Sequence, residues 1–433
     1  MADIYLSVDV GGSLTKVIYK LKDSSSVDYL VMSPDIEKIT QASLDSYMNS
    51  LGWVGTPHPS KQLWVRCKEC VMVLGDFAAK FDPQDKLMEL KYENALWKVL
   101  GIIGLIVETE KIILPKKKPL TIDLAILLPW NEYSDSKRFK EKLEKMLADF
   151  QVRENKLKVK LNKYLCRPEG GGLALLQLSQ FGDDWLQKQQ VGILMFGHRN
   201  TTSLYFDQGE LKKDSSSSPL LGFSQMLDMV IEAKSGLNRE KLASAIFKAR
   251  YEKRKEIYEV DRYRDAETTH PKWADCSAIR ALATAKDPEL RSDEIKTIVT
   301  AITDFTEMYW KKIERWLNQV FPTPLSKVVI GGGAAYHIQP ELEDYFNCKP
   351  ETDADKYDSP LYRTGEYTCR NYDKHFTPII WGAGFESKVS LAFNFLDKKD
   401  TEQCLSARFV DCYGLYNALV GFKKKEQEDM SND

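Results

Sequence analysis

At 433 residues, 43% of them hydrophobic, the chain has room for two or three domains with sizeable cores. Sixty-one lysines and arginines nearly balance 63 aspartates and glutamates, and the formal net charge of -2 gives no global electrostatic ground for direct nucleic-acid binding. No stretch approaches the ~20 apolar residues of a membrane helix, no signal peptide precedes the first strand, and the eight scattered cysteines read as reduced thiols, so a cytoplasmic protein without disulfides is expected.

Residues 3–10 are a mostly apolar run, followed by Gly11-Gly12-Ser13-Leu14-Thr15-Lys16 and by strand-like alternation over 17–22, which predicts strand, turn, strand. Cys67-Lys68-Glu69-Cys70 is a C-x-x-C without a second pair at zinc spacing, and is expected to be two strand thiols. An apolar strand over 122–128 meets the Pro129-Trp130 break, and 134–150 then reads as a charged amphipathic helix. A further helix over 173–190 leads into an apolar strand over 191–196, the polar turn Gly197-His198-Arg199-Asn200-Thr201-Thr202, and a strand over 203–206. The strand-turn-strand unit thus occurs twice.

Residues 212–218 form a serine-rich turn, and the dense alternating charge of 240–260 predicts an exposed helix. A long helical pattern over 293–320 precedes the short strand 327–330, and that strand ends in Gly331-Gly332-Gly333-Ala334-Ala335. The last residues, 423–433, are polar and charged, and are expected to fray.

Turns that aim backbone N–H groups at an anion hold polyphosphates well, and glycine permits both the close approach and the dihedrals required. Gly11, Gly12 and Ser13 suit that task; Asp9 at the strand end is placed to hold a hydrated Mg2+, and Lys16 to neutralise a phosphate oxygen. Alone, the motif also fits a plain glycine hairpin with a solvated aspartate. A dinucleotide fold would put a helix directly after its glycine turn, and the G-x-x-x-x-G-K-[ST] of a Walker loop is missing. The five histidines show no H-E-x-x-H spacing, and there is no G-x-S-x-G elbow.

The segment Asp9 to Lys16 is similar to the first phosphate loop of the actin/Hsp70/sugar-kinase superfamily, Gly197 to Thr202 to the second, and Ile330 to Ala335 to the adenosine loop, in the same order. Leu128-Pro129-Trp130-Asn131-Glu132-Tyr133, Arg167-Pro168-Glu169-Gly170 and Ala407-Arg408-Phe409-Val410-Asp411-Cys412-Tyr413-Gly414 resemble the ParM-type (StbA-like) bacterial actins. That resemblance implies an α/β actin-like ATPase fold of two lobes, each with a mixed central sheet and flanking helices, and ATP with Mg2+ in the cleft between them. It implies a first lobe over 1–179 with a small inserted subdomain around 30–100. The second lobe would cover 180–401 with an insert around 215–290, and a C-terminal helix over 402–422 would pack back on the first, ahead of a flexible tail.

The resemblance assigns nucleotide contact to Asp9, Gly11, Gly12, Ser13, Leu14, Thr15, Lys16, Gly197, His198, Arg199, Asn200, Thr201, Gly331, Gly332, Gly333 and Ala334, with Asp9 also at the metal. Glu169 matches the glutamate that positions the attacking water, a role that suits a carboxylate; as a bland alternative it is a helix N-terminal carboxylate favouring the dipole. Met195 stands where the family's second loop usually starts with a metal-shell aspartate, so nucleotide binding with slow hydrolysis is expected, and His198 and Arg199 are candidates for direct phosphate contact. The expected partner is the protein itself, in filaments that serve plasmid or DNA segregation through a small DNA-binding adaptor, or a cytoskeletal role. Because the first loop also resembles that of type II pantothenate kinases, a small-molecule kinase is the alternative.

Overall fold

A computed structural model describes residues 2–51, 57–81, 91–115, 118–182, 184–259, 273–321, 325–346, 366–367, 377–395 and 404–431. The chain divides into two units, Met1–Glu169 with Cys412–Asp433, and Gly170–Asp411.

In the first unit the elements run β1 (Ile4–Val10), β2 (Thr15–Leu21), β3 (Asp28–Met32), β4 (Ile36–Ile39), α1 (Gln41–Ser50), β5 (Trp64–Cys67), β6 (Cys70–Leu74), α2 (Lys91–Thr109), β7 (Leu120–Leu128), α3 (Ser136–Leu147), β8 (Phe150–Val152), β9 (Asn155–Leu157) and β10 (Val159–Pro168). The main sheet has the order β10-β7-β1-β2-β3, with β1 antiparallel to β2 and parallel to β7, and β7 parallel to β10. The near-continuous apolar runs of β1 and β7 follow from this placement, since central parallel strands are covered on both faces. A smaller sheet has the order β4-β6-β5-β8-β9. Cys67 and Cys70 are strand residues paired across the two-residue turn of the β5–β6 hairpin, and the described residues hold no group of three or more potential metal ligands.

The second unit contains α4 (Gly171–Phe181), α5 (Asp184–Gln187), β11 (Gln190–Phe196), β12 (Thr201–Asp207), β13 (Glu210–Leu211), α6 (Ser224–Ala233), α7 (Arg239–Glu259), α8 (Ser277–Arg280), α9 (Pro288–Val320), β14 (Lys327–Gly331), α10 (Gln339–Tyr345), β15 (Glu366–Tyr367), β16 (Ile379–Trp381) and α11 (Glu386–Phe393), and ends in α12 (Leu405–Ser431), which passes into the first unit at Cys412. Its sheet has the order β13-β12-β11-β14-β16-β15. Here β11 is antiparallel to β12 and parallel to β14, which is parallel to β16. The two main sheets therefore share one plan: an antiparallel meander whose first strand has two further parallel strands on its other side.

Several predicted elements differ in extent. The helix expected over 134–150 ends at Leu147, because Phe150 and Val152 are buried at period two and join the small sheet as β8. The helix over 173–190 is broken at Gly182, whose φ is 80°. The charged helix over 240–260 is not an exposed one: Leu242, Ala245, Ile246 and Ala249 are buried at helical spacing in the core of the second unit; the part of that charged run beyond 259 lies outside the described residues. The final helix continues past 422 to Ser431. No helix among the described residues is long and apolar enough to cross a membrane.

Candidate functional site

In the first unit the three parallel strands β1, β7 and β10 end at one edge of the sheet. Asp9 is in register with Leu127, which is also opposite Arg167, and Pro168 is opposite Leu128. The first glycine turn, the Pro129–Tyr133 segment and Glu169 thus leave the same edge. With strands about 4.8 Å apart, two spacings put the backbones at Asp9 and Glu169 roughly 10 Å from each other. In open α/β sheets this carboxyl edge is where ligands bind.

Asp9 and Lys16 are cross-strand partners on β1 and β2, and their side chains form a buried ion pair with each other. The sequence assigned these charges to different groups; the hairpin register brings them together. Gly12, Ser13 and Leu14 form the turn, Ser13 being exposed. A Cβ on Gly11 would lie 2.6 Å from the carbonyl oxygen of Leu14, so only glycine fits the tight return of this chain. Thr15 is fully buried, and its Oγ1 has no hydrogen-bond partner among the described residues.

Glu169 follows β10 with its backbone N–H donating to the carbonyl of Leu128 at 2.8 Å, which ties it to the end of β7. Its carboxylate accepts from the ammonium of Lys91 at 2.8 Å, with the two side chains only 12% and 11% exposed. Lys91 opens α2, and the first turn of α2 is held by Glu132: Oε1 accepts from the backbone N–H of Lys91 at 3.1 Å and Oε2 from that of Tyr92 at 2.8 Å. Glu132 is itself buried.

The role of helix-terminal carboxylate considered for Glu169 is filled by Asp411. Fully buried, it accepts from the N–H of Gly170 at 2.7 Å through Oδ2 and from that of Leu173 at 3.2 Å through Oδ1, closing the N-terminus of α4. The backbone of α12 comes so close that a Cβ on Gly172 would lie 1.9 Å from the Asp411 carbonyl oxygen.

In the second unit β11 and β14 are parallel neighbours, with Met195 in register with Gly331, so their glycine turns leave the same edge side by side. Gly332 has φ of 92°, and a Cβ there would lie 2.2 Å from the Phe196 carbonyl oxygen; this turn needs glycine both for its dihedral and for the approach. Gly331 packs on Leu173, Gly333 on the stem of Arg408, and Ala334 is buried.

The turn Gly197 to Asn200 is braced by the segment before α6. Carbonyls of Gly197, His198 and Arg199 accept from the N–H groups of Phe223, Ser224 and Gly222 at 3.2, 2.9 and 3.0 Å. Asn200 is buried and donates to Ser218, and Thr201 donates to the carbonyl of Leu221 at 2.8 Å. These two side chains hold the turn in place, whereas His198 and Arg199 are half-buried.

Met195 is buried on β11, so the strand end that was expected to lack a carboxylate is apolar. Behind the third turn, His337 stacks on Phe223 with ring centroids 3.8 Å apart. Burial pushes its imidazole down to about 3, with Arg250, His198 and Arg408 adding repulsion. Arg250 is buried too, pairs with Glu341 at 3.1 Å and lies over the Trp273 ring.

Lys91, Glu132 as a helix anchor, and Asp411 as a cap were not legible as individual residues. Glu132 and Asp411 lie inside motifs noted in the sequence, but their partners are 40 or more positions away.

The sequence matches no protein-family model and no curated protein. Solved structures do match in fold: Bacillus thuringiensis ParM with ADP is 12% identical, with 97% of this chain and 99% of that chain covered and a TM-score of 0.54. ParM of the same organism with ATP is 11% identical, with coverage of 98% and 100% and a TM-score of 0.53; with AMPPNP it gives 11%, the same coverage and 0.52. The chain has the actin-like ATPase fold of ParM.

Proposed function

We propose that this protein binds ATP with Mg2+ through residues 9–16, 197–202 and 331–335, polymerises with itself into filaments in the nucleotide-bound state, and hydrolyses the nucleotide slowly. The reading is carried by the repeated sheet plan, in which the first strand of each main sheet ends in a glycine turn at the carboxyl edge. It is supported by the full-length likeness to a fold solved with ADP, ATP and AMPPNP.

The residues fit a polyphosphate. Gly11 leaves no room for a side chain beside the Leu14 carbonyl, Ser13 is exposed on the turn, and the hydroxyl of buried Thr15 has no hydrogen-bond partner among the described residues. For Mg2+ the donor set is lean: Asp9 is paired with Lys16, and Met195 contributes no carboxylate. Asp9 is the residue that would hold the cation. When bound, the nucleotide would supply the scissile phosphoanhydride, and Mg2+ would supply positive charge beside its phosphates. Glu169 orients a water and accepts its proton, at an edge where the ammonium of Lys91 limits the carboxylate's freedom.

Filament formation, a small DNA-binding adaptor and a role in DNA segregation or cell organisation come from the ParM resemblance of the sequence motifs. Pelleting and negative-stain electron microscopy with ATP, ADP and a slowly hydrolysed analogue test the reading. Nucleotide-dependent filaments are expected, persisting longer with the analogue. Absence of polymer under all three nucleotides, together with phosphorylation of a pantetheine-like acceptor, would establish the kinase alternative instead.

A further inference from the structure

We infer that Lys91 is a positioning residue for Glu169, and that Glu132 sets Lys91 in place. This rests on the reading of Glu169 as the water-orienting carboxylate.

A glutamate side chain has three rotatable bonds, and at the end of a strand nothing in the backbone fixes its carboxylate. Here the carboxylate takes a 2.8 Å charge-assisted hydrogen bond from Lys91, and both side chains are nearly buried. Such a pair holds one geometry much better than an exposed pair does, because water competes little for either charge. The lysine is fixed in turn. It is the first residue of α2, a helix whose body is packed in the core of the unit, and both oxygens of buried Glu132 bind the first turn of that helix.

Glu132 comes from the turn that follows β7, and the Glu169 N–H is bonded to the last residue of β7. The end of one strand therefore fixes both partners of the ion pair, one through the backbone and the other through Glu132 and α2. This gives the Leu128-Pro129-Trp130-Asn131-Glu132-Tyr133 motif a purpose: it anchors the helix that presents the ammonium to Glu169. A carboxylate swung away from the water by an ångström loses about 10²-fold in rate, so a device of this kind has a measurable effect.

The test is a kinetic cycle in the full chain, with ATP hydrolysis and ATP affinity measured for Lys91→Met, Lys91→Arg, Glu169→Gln and the Lys91→Met/Glu169→Gln double variant. Thermal melting confirms folding, and Lys91→Gln replaces the methionine variant if that one does not fold. Lys91→Met is expected to lower kcat roughly 10- to 100-fold while the Kd for ATP stays within about twofold. Lys91→Arg is expected to recover most of kcat, and Lys91→Met to have no further effect once Glu169 is glutamine, because Lys91 acts through that carboxylate. A general destabilisation would instead lower kcat by the same factor in both backgrounds. Unchanged kcat in Lys91→Met, or equal losses in both backgrounds, overturns the inference while leaving the proposed function standing. Absence of hydrolysis by the natural chain overturns both.

Discussion

Lys98 lies in the middle of the first turns of α2, one helical heptad after Lys91, and is almost entirely buried. Burial pushes its ammonium down to about 8, against the opposing attraction of Asp35, and Lys91 adds repulsion. An amine that ionises near 10.4 in the unfolded chain and near 8 in the folded one is bound by fewer protons on folding, so this group's contribution to stability rises with pH between those values. Below about pH 8 its full penalty is felt. Replacing it by an apolar side chain of similar length, Lys98→Met, is expected to stabilise the protein at pH 7 by up to about 3 kcal/mol, and the gain should vanish above about pH 10. Urea denaturation at the two pH values reads this; an unchanged midpoint at pH 7 would show that the lysine is not held in an unfavourable charged state. No local pattern in the sequence distinguishes Lys98 from a surface lysine. The side chains of the first glycine turn were legible for the opposite reason: Asp9, Gly11 and Lys16 are neighbours in sequence, and a hairpin register is all that is needed to make Asp9 and Lys16 partners.

Helices and strands were read well where one periodicity dominated and badly where a neighbour decided. The repeated strand-turn-strand units and the long helix α9 needed only their apolar patterns, although α9 begins at Pro288, five residues before the expected 293, where the Asp287 side chain accepts from the Glu289 and Leu290 N–H groups. By contrast Phe150, the first residue of β8, was taken for the end of a helix because a three-residue strand carries too little pattern, and its place is set by the pairing of β8 to β5 and β9. The buried face of α7 was hidden under its dense charge, five buried apolar positions among many lysines, arginines and glutamates. The start of α4 depends on Asp411, 240 residues distant in sequence, whose carboxylate satisfies two backbone N–H groups that would otherwise be buried without acceptors. Asp411→Ala is expected to cost roughly 2–4 kcal/mol of stability, visible as a lowered midpoint in thermal or urea unfolding. A change of less than about 0.5 kcal/mol would mean that the N-terminus of α4 is held by something other than this carboxylate.

At the scale of the molecule, the fold was legible from three glycine turns in order and from the ParM-like motifs, and the two sheets with matching plans are the structural counterpart of that repetition. What the sequence left out is the support of the site: the Lys91–Glu169 pair, the Glu132 anchor and the Asp411 cap join positions 40 to more than 200 residues apart. Such pairings carry no periodic signal, and one sequence offers no means of finding them. The unusual Met195 has an equally physical reading, because its buried position on β11 is a good place for an apolar side chain and a costly one for an unpaired carboxylate. Nucleotide binding is therefore the property on which everything else depends. It is tested most directly by isothermal titration of the protein with ATP in the presence of Mg2+, at protein concentrations where light scattering stays flat. One ATP bound per chain, displaced by ADP, is the expected result. No heat of binding across a range of temperatures, with no thermal stabilisation of the chain by ATP, would contradict it.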